Sequence, residues 1–154
     1  MTDQTPTLLL ASSSPFRRQL LDKLKLDFIH QSPDIDESRH EDESPTALVM
    51  RLAREKALTL ADQHPDTLII GSDQVAVIGD QVLGKPGDRD TAIRQLSAAS
   101  GQRVSFLTGL CLLNTATGRS QVACDPFHVQ FRTLKPAQIE RYVDIEQPLN
   151  CAGS

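Results

Sequence analysis

Three charged residues stand where the apolar patterning of this sequence would place hydrophobic ones, and all three suit acid–base or phosphate chemistry: Asp73, Lys56 and Arg17. Asp73 lies in the stretch Leu68 to Pro86, where an apolar, β-branched run to Ile78 meets Gly79-Asp80 and then a shorter run to Leu83. That order predicts strand, turn, strand. Because side chains alternate across a strand, Ile69, Gly71, Asp73, Val75 and Val77 share one face, so the acid sits in an apolar row. A carboxylate there is costly to ionise unless a cation, a metal or hydrogen bonds compensate. The structural alternative is an Asp at a bulge after Gly71-Ser72, turned to water.

Lys56 raises the same question on a helix. Ser44-Pro45 supplies an N-cap and an N1 proline, and the helix they open runs to about Gln63 with Val49, Leu52, Ala53 and Leu60 as its apolar stripe. Lys56 falls in the middle of that stripe, while Arg51, Arg54 and Glu55 lie to its sides. A lysine on a buried face needs an anion or must snorkel past the rim. Upstream, Ser12-Ser13-Ser14-Pro15 opens another helix with Ser14 as N-cap. Its free N–H groups and three hydroxyls make a natural anion site. Arg17 projects from the stripe of Leu20, Leu21 and Leu24, so it is expected to face inward and meet either a phosphate or a carboxylate of the chain. Arg18 falls on another side, at the surface.

The loop from Ser32 to Glu43 is acidic. Asp36 and Glu37 follow soon after a strand and are placed to face a site, where carboxylate oxygens suit Mg²⁺. Glu41, Asp42 and Glu43 read as solvated surface. The histidines His30, His40, His64 and His128 show no zinc-ligand spacing, and the common nucleotide-binding and hydrolase signatures are missing.

The remaining elements serve to position these groups. Thr7–Ala11 and Asp27–Gln31 read as strands. Asp88 caps a helix that ends near Ser100-Gly101, Arg103–Leu113 and Gln121–Phe131 form a long hairpin across residues 114–118, and Pro136 begins a last helix to about Glu146. The order is mixed α/β. At 154 residues one domain is expected. A net charge of −4, five Phe, one Tyr and no Trp argue against a broad nucleic-acid face. Cys111, Cys124 and Cys151 imply no stable disulfide, and no apolar run or leader suggests a membrane or export, so a cytoplasmic protein is expected.

Taken together, Ala11–Leu21, Asp36-Glu37, Leu52–Ala57, Ile70–Gln74 and Gly84–Pro86 resemble the Maf family of nucleoside triphosphate pyrophosphatases, in order and over nearly the whole chain. The resemblance implies an elongated mixed β-sheet with long hairpins flanked by helices, two lobes around a nucleotide-binding cleft, as in Maf and ITPase-like folds. It implies cleavage of a nucleoside triphosphate between the α and β phosphates with a divalent metal, Mg²⁺ or Mn²⁺. Asp73 becomes the proton acceptor or a metal ligand, Ser12, Arg17, Lys56 and Lys85 contact the triphosphate, and Glu37 contacts metal or water. Lys85 gains its role mainly from this resemblance and is otherwise an ordinary loop lysine.

Phe16 and Gln74 stand where the branch acting on 7-methyl-GTP carries an aromatic and a Gln, and where the branch acting on dTTP and UTP carries Arg and Thr. N7 methylation makes guanine cationic, which an aromatic face attracts and an arginine repels. The alternative for Phe16 is an apolar anchor for the helix start. The ending Cys151–Ser154 also looks like the 7-methyl-GTP branch. Family members continue past it with a segment that helps close the cleft, so a single Maf-like domain over residues 1–154 lacking that continuation is expected. A homodimer is a further implication, and a non-catalytic nucleotide-binding or cell-division regulatory protein is the alternative to the enzyme.

Overall fold

Ser-Pro caps, glycine turns and short apolar runs organise the chain in a computed structural model that describes residues 6–153. In order these are β1 (Thr7–Ala11), α1 (Pro15–Asp22), β2 (Ile29–Gln31), α2 (Pro45–Thr59), a 3₁₀ turn (Ala61–Gln63), β3 (Thr67–Ile78), β4 (Gln81–Leu83), α3 (Arg89–Ala99), β5 (Arg103–Asn114), β6 (Arg119–Gln130) and α4 (Pro136–Glu146). The strands form a six-stranded mixed sheet in the order β2-β1-β3-β5-β6, with β4 on β3. β1 runs parallel to β2 and to β3, in register from Thr7 opposite Thr67 to Ala11 opposite Gly71. β4 returns antiparallel from the turn at Gly79, whose φ of 58° suits a residue without a side chain. The mixed α/β sheet expected from the sequence is therefore present.

Helix starts follow their caps. The Ser14 hydroxyl accepts from Arg17 N–H, Ser44 from Ala47 and the Asp88 carboxylate from Thr91, with prolines in the first turn of α1, α2 and α4. Two elements are shorter than expected. β2 keeps only Ile29–Gln31 of the anticipated strand, and α2 gives way to the 3₁₀ turn after Thr59, ahead of Pro65, which biases its preceding residue away from helix.

The chain packs as two compact units, one through Asp73 together with Gly109–Cys124, the other Gln74–Thr108 together with the chain from Asp125. In the first, Ala53 and Ala57 of α2 and Leu60 at its C-terminal cap lie on Leu9, Ala11, Ile69, Cys111 and Leu113. The helix sits so close to the strands that a Cβ at Gly71 would collide with the Ala53 carbonyl oxygen, and one at Gly109 with that of Val49. Burial pushes the Cys111 thiol up from its ordinary pKa. α1 departs from expectation: none of its residues is buried, and Leu20 and Leu24 are 61% and 64% exposed, so the leucine stripe does not face a core here.

In the second unit, Ala76, Leu83, Ala99 and Val104 form one cluster and Ala92, Leu96, Ile139 and Val143 another. The loop after β4 is fastened from both sides. The Gly84 carbonyl accepts from Gln95 Nε2 at 3.0 Å and from Gly153 N–H at 3.1 Å, and Gly87 N–H donates to the Leu149 carbonyl at 3.0 Å.

Candidate active site

The register of the parallel strands places Asp73. β1 stops at Ala11 opposite Gly71, so Asp73 stands two residues beyond the last β1–β3 pair, past the carboxyl end of β1 and midway along β3. From β1 the chain passes to β2 on one side and then back across to β3 on the other, and the crevice beyond such strand ends is where open α/β sheets bind ligands. Ser12 lies just past β1 and is buried, its Oγ accepting from Ser14 N–H at 3.0 Å.

Asp73 is 9% exposed and its carboxylate has a partner. Lys56 Nζ donates to Asp73 Oδ1 at 2.8 Å, to the Ser72 carbonyl at 3.3 Å, and lies 3.0 Å from Glu37 Oε1. An ammonium carries three N–H donors, and here three acceptors surround it. This accounts for a lysine only 6% exposed on the apolar face of α2: its charge is buried, paired and hydrogen-bonded. Glu37 is the open member of the cluster, with a side chain 57% exposed.

Arg17 enters the same field from the first turn of α1. Burial pushes its guanidinium below the ordinary value, while the negative charges of Asp73 and then Glu37 pull the other way. Arg17 is half-buried and within the fields of those two acids, while the leucines used to infer its inward direction are exposed.

Sequence expectations differ from the structure at two acidic residues. Asp36 turns to Ser38 instead: its Oδ1 accepts from Ser38 N–H at 2.9 Å, and the Ser38 hydroxyl together with that N–H holds its carboxyl below the ordinary range. Glu43 is no solvated surface acid, because Arg51 grips it at 2.7 Å with only 10% of its side chain exposed. Arg51 and Glu43 are what sequence reasoning missed. A charged residue on the flank of a stripe reads as solvated, and the only local signal was the spacing of Arg51 and Glu55 four residues apart, which do pair at 3.1 Å. Arg18 instead meets His30, Nη1 to Nε2 at 3.2 Å.

The other candidates are exposed. Phe16, in the first turn of α1, is 56% exposed, which argues against an anchoring role. Gln74 and Lys85 belong to the second unit: Gln74 Nε2 donates to Thr108 Oγ1 at 2.9 Å, and Lys85 stands in the fastened loop after β4.

The comparison with known proteins now decides the family. The sequence profile described as Maf-like protein matches residues 7–154. The chain belongs to the Maf-like family. Among its relatives, a 7-methyl-GTP pyrophosphatase of Alcanivorax borkumensis is 97% identical over 154 residues, all of this chain and 78% of that protein. Proteins of the same name from Pseudomonas putida and Pseudomonas aeruginosa are 63% and 57% identical, over 96% and 97% of this chain and 77% and 78% of their own lengths.

For this member of the Maf-like family the donor set bears on metal binding. Among the described residues no group of three or more His, Cys, Asp or Glu is arranged to hold a metal ion by itself. Asp73 and Glu37 nevertheless supply two carboxylates at one point. Two carboxylates fit a Mg²⁺ or Mn²⁺ ion that shares its remaining ligands with substrate phosphates, as Mg²⁺ ordinarily does.

Proposed function

We propose that this chain is a nucleoside triphosphate pyrophosphatase that hydrolyses 7-methyl-GTP to 7-methyl-GMP and diphosphate. The observation that carries the reading is near-identity, along the whole chain, to a protein bearing that activity in its name. Lys56, Asp73, Glu37 and Arg17, near the carboxyl end of β1, supply side chains suited to the chemistry.

In the proposed reaction Asp73 accepts a proton from a water molecule as its oxygen attacks the α-phosphorus. The bond between that phosphorus and the α,β-bridging oxygen breaks, and its electron pair leaves with diphosphate. Asp73 Oδ1 is taken by Lys56, so Oδ2 is the oxygen for the water. Lys56 and Arg17 orient the triphosphate and offset charge on the leaving group, Ser12 and Lys85 contact its oxygens, and Glu37 is the partner Lys56 exchanges for phosphate, being the exposed one. Two cations facing two carboxylates leave little net positive field for a polyanion, which supports entry of the nucleotide with a divalent cation. Asp73 and Glu37 would hold such a cation together with the phosphates, and it would supply charge neutralisation of the phosphoryl group.

Phe16 and Gln74 are proposed to set base preference, with the exposed Phe16 ring free to stack on cationic 7-methylguanine. Diphosphate release from 7-methyl-GTP, GTP, dTTP and UTP, with and without Mg²⁺ or Mn²⁺, tests the reading. Preference for 7-methyl-GTP is expected; equal turnover of dTTP defeats the base assignment, and inertness toward all four defeats the activity.

A further inference from the structure

Glu37 poses a geometric problem. It lies in a segment with neither helix nor strand, its side chain is more than half exposed, and yet its carboxylate meets Lys56 at 3.0 Å. A flexible loop would spread that carboxylate over many positions, so something must fix the backbone beside it.

One guanidinium touches both ends of the stretch that follows. Arg51, on α2 ahead of Lys56, donates from Nη2 to the Ser38 carbonyl at 2.9 Å, immediately after Glu37. The same Nη2 donates to Glu43 Oε1 at 2.9 Å, and Nε donates to Glu43 Oε2 at 2.7 Å, a forked contact that only arginine makes. Glu55 holds Nη1 from the helix side. Within the stretch, His40 N–H donates to Glu43 Oε1 at 3.2 Å, Arg39 Nε donates to the Glu43 carbonyl at 2.8 Å, and Asp36 turns back to Ser38 N–H. Residues 36–43 are thus closed upon themselves and tied to the helix that carries Lys56.

We propose that Arg51 is a positioning residue for the pyrophosphatase reaction: with Glu43 it forms a latch that sets the Glu37 carboxylate against Lys56. The inference rests on the reading of Glu37 given under Proposed function. It separates the acids of this loop into one that works, Glu37, and one that holds it in place, Glu43.

A double-mutant cycle with hydrogen–deuterium exchange tests it. Arg51→Gln is expected to lower kcat with 7-methyl-GTP and Mg²⁺ by about tenfold or more, the size typical of residues that orient a ligand-bearing side chain. Glu43→Gln, which keeps the shape of the acid, should act in the same direction, and Arg51→Lys should retain part of the activity. Added to Glu37→Gln, the Arg51→Gln change should cost less than about twofold, since the carboxylate it positions is already gone. Without nucleotide, amide exchange in residues 36–43 should accelerate in Arg51→Gln while β1 and β3 keep their protection.

An equal further loss in the Glu37→Gln background, or unchanged exchange in residues 36–43, overturns the latch and leaves the proposed activity standing. Parental activity in Glu37→Gln overturns the role of Glu37 and the latch with it. A parent chain inert toward every nucleotide, with the exchange effect present, removes the reaction itself and so the latch's catalytic purpose.

Discussion

Lys56 and Asp73 were legible from sequence for one reason: each interrupts an apolar row of fixed period, and a buried charge must have a partner. The structure makes them partners of each other at 2.8 Å. Arg17 was read from a leucine stripe that is exposed; the residue itself is half-buried and feels the charges of Asp73 and Glu37. Arg51 and Glu43 were not legible, because the contact that matters joins a helix flank to a loop eight residues back and no period records it. At this scale Lys56→Met should destabilise the fold by roughly 3–5 kcal/mol, as expected for removing one member of a buried pair, measured by urea unfolding. Lys56→Met combined with Asp73→Leu should recover much of that loss, because the uncompensated buried carboxylate is gone. Equal loss in both variants would show that the pair is not what makes the single change costly.

Among the elements, the caps and hairpin were readable because Ser-Pro, Asp and Gly act through local backbone chemistry. The packing of α2 on the sheet was not, since it depends on helix backbone reaching strand backbone at Gly71 and Gly109. Alanine at either position must displace a carbonyl rather than a side chain. Gly71→Ala and Gly109→Ala should therefore each cost more than the roughly 1–3 kcal/mol of ordinary overpacking, read as a fall in urea midpoint. The loop latch predicts a pH signature. Arg51 holds the Glu43 carboxyl down to a pKa of about 2 from an ordinary 4.5. The folded form therefore takes up this proton less readily than the unfolded chain, so the contribution is complete above about pH 4.5 and is lost as pH falls through about 2. Melting temperature should decline over that window, and Glu43→Gln should remove this part of the decline; an unchanged slope in the variant would locate the acid sensitivity elsewhere.

For the whole molecule, membership of the Maf-like family and a mixed sheet define the setting, and among the described residues no helix is long and apolar enough to cross a membrane. The curated relatives extend beyond the matched region, this chain spanning 78% of the Alcanivorax protein. A bound nucleotide should raise the melting temperature by mass action, about 2.7 kcal/mol of stabilisation at one hundred times Kd. Asp73→Asn should reduce that shift, because Asp73 is assigned to the divalent cation that enters with the nucleotide as well as to proton transfer. The central claim is that Asp73 activates water at the α-phosphorus, and one measurement addresses it directly: turnover of 7-methyl-GTP in ¹⁸O-labelled water by the parent and by Asp73→Asn, with both products analysed by mass spectrometry. The account predicts the label in 7-methyl-GMP and none in diphosphate, and a rate lowered by about 10²- to 10⁴-fold in the variant, the usual weight of a general base. Label in the diphosphate, or parental turnover by Asp73→Asn, would contradict it.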